Sequence, residues 1–266
     1  MTKSIEYQGV RINYSIEGTG NIALLFLHGY LESLEIWNGF VQRFTDSYRV
    51  VCMDIPGHGQ SARLGQVHEM GEMARIAAAV LDAEGIDKVV IFGHSMGGYV
   101  TMEFVHIYPE RTRGYCLFHS TCFADNEEKR QNREREISLI LCGKKQLIIR
   151  TNIPKAFAEE NLEKMKEAVT KAVQIASGSS DEGTIALLRG MMERSDHSEL
   201  LKRSSPPPLI IWGEKDNYIG KPVFNNLVEL APHATIIVLK NAGHMGFIEE
   251  PECVYNGITG YLNSLL

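Results

Sequence analysis

Val89-Val90-Ile91-Phe92-Gly93-His94-Ser95-Met96-Gly97-Gly98 is the stretch that decides how this chain is read. Three β-branched residues and a phenylalanine predict a buried strand, and the glycines at 93 and 97 bracket a serine immediately after it. Behind the serine, Met96, Val100, Phe104 and Ile107 recur near helical spacing until Pro109 stops the pattern. A serine on a sharp strand-to-helix turn has the setting of a nucleophile elbow. Its hydroxyl is a poor nucleophile at neutral pH, so it must stand exposed beside a base and near donors that can hold an oxyanion. The turn forces Ser95 into strained backbone angles and packs tightly only if positions 93 and 97 carry no side chain. The helix that follows points its N-terminus at Ser95, which favours negative charge there.

Working outward, five further apolar runs repeat the strand signal: Ile22 to Leu27, Val50 to Met53, Tyr115 to Phe118, Leu209 to Trp212 and Ile236 to Leu239. Continuous runs of this kind fit strands buried on both faces of a parallel sheet. Helical patterns lie between them at Glu69 to Ala83, Met96 to Ile107, Lys221 to Leu230 and Glu252 to Leu265. Ser4 to Ile16 alternates around Gly9, as a hairpin should. Strand and helix therefore alternate, which predicts a doubly wound α/β domain.

The alternation breaks once. Between about 125 and 205 there is no strand signal, while Ala158, Leu162, Met165, Val169, Ala172, Val173 and Ala176 share one helical face. The predicted organisation is a core of residues 1–124 and 206–266 with an all-helical insertion, 125–205, that ends at Ser204-Ser205-Pro206-Pro207-Pro208. Leaving the sheet at the carboxyl end of a strand, where open α/β folds bind ligands, the insertion is expected to act as a lid over Ser95. The alternative is a helical layer on the back of the sheet.

Composition narrows the class. With 266 residues and 44% hydrophobic content the chain can build one large core, which rules out a disordered or fibrous protein. No stretch reaches the roughly 20 apolar residues of a membrane span, and no apolar run follows the N-terminal lysine, so a cytoplasmic protein without membrane attachment is expected. A net charge of −6 argues against sequence-independent nucleic-acid binding. Lys129, Arg130, Arg133 and Arg135 alternate with Glu127, Glu128, Glu134 and Glu136, which reads as a solvated helix face. The five cysteines (Cys52, Cys116, Cys122, Cys142, Cys253) lack C-x-x-C spacing and read as reduced core thiols. His68, His106, His119, His197 and His233 show no metal-ligand spacing, so no metal site is expected.

A reactive serine needs a base and a group that orients it. Asp216, in Gly213-Glu214-Lys215-Asp216, and His244, in Asn241-Ala242-Gly243-His244-Met245, each stand just past a predicted strand, on the same sheet edge as Ser95. Backbone amides of Met96 and of Tyr30, which follows the first apolar run through His28-Gly29, are the candidate oxyanion donors. Together with Leu27-His28-Gly29-Tyr30 and Asp54-Ile55-Pro56-Gly57-His58-Gly59-Gln60-Ser61, these stretches resemble the α/β-hydrolase superfamily, in its cap-bearing group of small esterases and lactonases. The motifs span nearly the whole chain in the family's order.

The resemblance implies a mostly parallel sheet with helices on both faces and a triad of Ser95 as nucleophile, His244 as base and acid, and Asp216 as orienter, with no cofactor. In some relatives the acid follows the strand before the cap, which would nominate Asp125. Asp54, His28, His58 and His94 read as structural. Tyr30, Trp37, Ser120 and Phe123 are the candidate substrate contacts, with Thr121 beside Ser120 either lining the pocket or capping a turn. Leu139, Met191 and Met192 read as pocket wall or core of the helical segment. The implied substrate is a small-molecule ester or lactone, cleaved through an acyl-enzyme. Alternatives on the same scaffold are thioesterase, amidase, C–C hydrolase or perhydrolase chemistry, or a ligand-binding protein that does not turn over. Dehalogenases and epoxide hydrolases carry aspartate at the elbow, so Ser95 disfavours them.

Overall fold

The computed structural model describes residues 2–265. Eight strands form one sheet: β1 Thr2–Tyr7, β2 Val10–Glu17, β3 Ala23–Leu27, β4 Arg49–Met53, β5 Val89–His94, β6 Thr112–Phe118, β7 Leu209–Gly213 and β8 Thr235–Leu239. Their spatial order is β1-β2-β4-β3-β5-β6-β7-β8. The opening hairpin β1–β2 joins β4 antiparallel, and every pairing from β4 to β8 is parallel. The parallel strands are the apolar runs of the sequence, and the reason is visible within β3. Leu25 and Leu27 enter the core on one side of the sheet while Leu24 and Phe26 enter the core on the other. A strand covered on both faces cannot alternate apolar with polar residues.

The helices of the first core include α1 Met70–Ala83 and α2 Met96–Ile107, the latter within the bounds read from sequence. A 3-10 turn, Leu34–Trp37, and the later helix α10 Pro251–Ser264 fill the opposite side. Between β6 and β7 lie five helices and, among the described residues, no strand: α3 Glu127–Leu141, α4 Lys145–Lys155, α5 Lys166–Ser177, α6 Asp181–Glu193 and α7 Ser198–Arg203. Asn126 caps α3 by accepting the Lys129 amide at 2.9 Å, and Ser180 caps α6 by accepting the Gly183 amide at 3.0 Å. After β7 come α8 Lys221–Leu230 and, between β8 and α10, the short α9 Gly246–Glu249.

The helical face expected from Ala158 to Ala176 is not one helix. Pro154 sits in the last turn of α4, a 3-10 turn takes Glu159–Asn161, and only Lys166–Ser177 is α-helical. Asn161 is held away from the helix because its side-chain amide donates to the Asn241 carbonyl at 2.7 Å and to Glu249 at 2.8 Å. The expected solvated face of α3 also needs correction. Arg133 turns inward to the buried Asp125, and Glu136 accepts a hydrogen bond from the Tyr30 hydroxyl at 2.9 Å. Of the cysteines, Cys52, Cys116 and Cys122 are buried as expected, but Cys142 and Cys253 are exposed.

Candidate active site

Ser95 joins β5 to α2 at φ +50° and ψ −115°, a region that non-glycine residues rarely occupy. The turn is held from three directions. The Ser95 amide donates to the Phe118 carbonyl at 2.9 Å, and the Ser95 carbonyl accepts the Gly98 amide at 2.9 Å and the Ser120 hydroxyl at 2.6 Å. A Cβ at position 93 would lie 2.3 Å from the Gly97 carbonyl oxygen, and one at 97 would lie 2.4 Å from that of Leu27, so both glycines are steric necessities. Met96 opens α2, and the first amides of an α-helix have no partner within the helix.

Asp216 lies past the end of β7 and is buried. Its Oδ1 accepts the amides of Tyr218 at 2.8 Å and Ile219 at 2.9 Å, while its Oδ2 accepts from His244 Nδ1 at 2.8 Å and His119 Nδ1 at 3.1 Å. Burial pushes this carboxyl toward its neutral form, but His244 and the hydrogen bonds of both histidines prevail and hold it well below the usual carboxylate range. His119 accepts the Gly246 amide on Nε2 at 3.2 Å, so its proton sits on Nδ1 and the ring is neutral. Burial accordingly depresses its pKa to about 4, against the opposing pull of Asp216. The backbone of His244 is fixed too. Its amide donates to the Ala156 carbonyl at 2.6 Å, and its carbonyl accepts His94 Nε2 at 2.9 Å.

The loop after β3 is organised by buried side chains. The Gly29 amide donates to Glu32 Oε2 at 2.6 Å and the Leu31 amide to His58 Nε2 at 3.2 Å. The amides on either side of Tyr30 are thus engaged. His28 Nε2 accepts the Ile55 amide at 2.9 Å, and Asp54 accepts from the Leu34 and Gln60 amides at 2.7 and 2.8 Å and from the Asn13 side chain at 2.7 Å. Asp54, His28 and His58 therefore do the loop-holding work expected of them.

The helical segment lies over this same sheet edge. Besides the contacts of Glu136 and Ala156, the Asn152 carbonyl accepts the Tyr218 hydroxyl at 2.8 Å and the Lys155 carbonyl accepts the Asn217 side chain at 3.0 Å. Buried Glu249 knots the segment to the histidine loop. One of its oxygens accepts the Gly243 amide at 2.8 Å and the Met245 amide at 3.3 Å, and the other accepts the Ala158 amide and the Asn161 side chain at 2.8 Å each.

The structure thus brings Asp216 and His244 together and joins the residue before Ser95 to the His244 carbonyl. It sends Asp125 elsewhere: this carboxylate is paired with Arg133 and, at 2.7 Å, with Arg194. Two candidate substrate contacts have other work. Trp37 is fully buried against Phe26 and Phe247, and Ser120 clamps the elbow carbonyl. Thr121 caps a turn by accepting the Phe123 amide, and Phe123, Leu139 and Met191 belong to or pack on the first core. A groove of 510 Å³ between Ser33, Asp54, Gln60 and the α5 residues Lys171 and Gln174 is lined by none of Ser95, Asp216 and His244.

Sequence reasoning missed Glu32, His119 and Glu249. Their signal was faint: Glu32 follows Tyr30 by two residues, and His119 is the first residue beyond β6, at φ +47°. His119, Asp216 and His244 also offer potential metal-ligand atoms within 4.8 Å of one another, a grouping that spacing along the chain does not reveal. In this structure those atoms hydrogen-bond to each other.

Fold and site together define a class. Residues 22–251 match the family model described as the alpha/beta hydrolase fold, and the chain belongs to that family. It is 29% identical over 266 residues to a 2-hydroxy-6-oxononadienedioate/2-hydroxy-6-oxononatrienedioate hydrolase of Burkholderia vietnamiensis, covering 91% of this chain and 88% of that protein. It is 26% identical over 256 residues to the dihydrolipoyllysine-residue acetyltransferase component of the acetoin cleaving system of Cupriavidus necator, which takes in 92% of this chain but only 64% of that relative's length. Among solved structures, a thermophilic esterase from Thermogutta terrifontis superposes with a TM-score of 0.93 at 27% identity, covering 100% of this chain and 99% of that one. No helix among the described residues is long and apolar enough to cross a membrane.

Proposed function

We propose that this chain is a serine hydrolase that cleaves a small carboxylic ester or lactone through an acyl-enzyme on Ser95. The observation that carries the reading is the junction of elbow and base: the residue preceding Ser95 donates to the His244 carbonyl at 2.9 Å, while His244 Nδ1 is bound to Asp216. With Nδ1 committed, His244 presents Nε2 to the nucleophile. It takes the Ser95 proton as the hydroxyl adds to the substrate carbonyl, and the amides of Tyr30 and Met96 hold the oxyanion. His244 then protonates the leaving alkoxide. Water, deprotonated by the same imidazole, attacks the acyl-enzyme, and Ser95 recovers its proton as the acid departs. Residues 125–205 act as the cap over this chemistry, with Tyr30 and Phe123 remaining as substrate contacts.

The test is hydrolysis of a chromogenic ester panel, acetyl to dodecanoyl, by the wild type and by Ser95→Ala purified alongside it. The expected result is turnover with a chain-length optimum, reduced roughly 10⁴-fold or more in the variant with its circular dichroism unchanged. Equal rates in the two proteins would overturn the reading.

A further inference from the structure

We infer that Glu32 and His94 form a buried carboxylate–imidazolium pair whose work is to position the oxyanion loop against the triad histidine. The inference rests on the triad reading above and adds to it two positioning residues. The charge on His94 follows from its partners. A backbone carbonyl can only accept, so the Nε2 that lies 2.9 Å from the His244 oxygen carries a hydrogen. Nδ1 lies 3.0 Å from Glu32 Oε2, an oxygen that also accepts the Gly29 amide at 2.6 Å. An oxygen that already accepts a backbone amide at 2.6 Å is favoured as part of an ionised carboxylate, and such an oxygen can only accept, which places the second proton on Nδ1. Burial opposes a charge on His94, but Glu32 and the His244 carbonyl outweigh it and raise its pKa, while His94 helps depress that of Glu32. The other ionisable groups around the ring are His28, His119, His244 and Asp216.

The pair joins three parts that the reaction needs in register. Gly29 precedes Tyr30, His94 precedes Ser95, and the His244 carbonyl belongs to the base itself. One chain of hydrogen bonds, Gly29 amide to Glu32 to His94 to His244 carbonyl, spans all three. The ring cannot tilt to break it. His94 is fully buried and stands near perpendicular to Trp37, Phe118 and Phe247, at interplanar angles of 86°, 88° and 81°. Trp37, expected at the substrate, serves this purpose instead. A preorganised site gains rate by holding donors where charge develops, so slack in this chain should appear in turnover rather than in substrate binding.

Ring ¹⁵N spectra of the uniformly labelled 266-residue chain, with the His94 signals assigned by their loss in His94→Gln, test the charge directly. Both ring nitrogens of His94 are expected to be protonated at pH 7. A neutral pattern, with one bare nitrogen, would overturn the inference whatever the activity. In Glu32→Gln, His94 is expected to become neutral, and kcat on a short ester should fall roughly 10- to 100-fold, as loss of one charge-assisted hydrogen bond implies, with KM changed less than about threefold. Unchanged kcat in a folded Glu32→Gln would refute the positioning role. Failure of a fluorophosphonate to label wild-type Ser95 would refute the triad reading instead, and it leaves the charge on His94 to be read from the spectra.

Discussion

Two buried aspartates follow neighbouring strands of the sheet, and their partners separate them. Asp125, seven residues past the end of β6, is gripped by the guanidinium groups of Arg133 and Arg194. Asp216, three residues past the end of β7, is gripped by two imidazoles and two backbone amides. Both carboxyls are held below their ordinary range against the opposing effect of burial. Arginines stay charged at any working pH, so the first arrangement cannot pass or steer a proton. An imidazole titrates near neutrality and has two distinct nitrogens, so a carboxylate bound to one of them selects which the other offers to chemistry. The same acid is clamped by guanidinium groups in one loop and bound to imidazoles in the other, which suits it to the orienting role proposed for it.

Exchanging charge for amide at each site sharpens that contrast. Asp216→Asn is expected to lower kcat roughly 10⁴-fold, the scale for a triad whose histidine loses its tautomer control, with little change in melting temperature. A fall below tenfold in steady-state ester hydrolysis would erase the distinction. For Asp125→Asn the loss should move to stability. Leaving the buried Arg194 and the partly buried Arg133 short of their counter-charge is expected to cost about 3–5 kcal/mol in denaturant unfolding, while kcat in the folded protein stays within about threefold.

Acid unfolding reads the same clamp. A depressed folded pKa contributes stability that is complete above the unfolded carboxyl value, about 3.9, and is lost as pH falls through the lower folded value. Thermal scans below pH 4 should therefore show a shallower acid slope in Asp125→Asn than in the wild type, and parallel slopes would contradict the ion-pair reading. The smallest effect concerns the second histidine. His119→Phe keeps the ring's shape but removes a hydrogen bond to an ionised group, worth about 1.5–3 kcal/mol, so kcat should drop roughly 10- to 100-fold with KM nearly constant. Wild-type turnover would reduce His119 to a space-filling side chain.

The parts of the molecule that were legible in advance share one trait, dependence on local sequence. Apolar runs located all six parallel strands, and α2 and α8 begin and end where the periodicity does. Gly93 and Gly97 announced the strained turn that the structure shows. The placement of Ser95, Asp216 and His244 past the ends of their strands was legible because each strand carries a strong apolar run. Arg133, Glu136 and the Asn161 turn were misread, since a charged or amide side chain on a helical pattern looks solvated until something buried claims it. His119 and Glu32 were invisible as partners because their contacts reach across 97 and 62 residues of chain.

Sequence alone determined the order of strands and helices, the position of the elbow and the family, because steric and hydrophobic preferences act over a few residues and repeat with the period of each element. Only the tertiary structure decided which buried polar groups meet. A desolvated donor or acceptor must find a partner wherever packing leaves one, and the sheet edge brings loops from five separate parts of the chain within hydrogen-bonding distance. That is why Glu32, His94, His119 and Glu249 gather around Ser95, Asp216 and His244 although nothing in their spacing places them there.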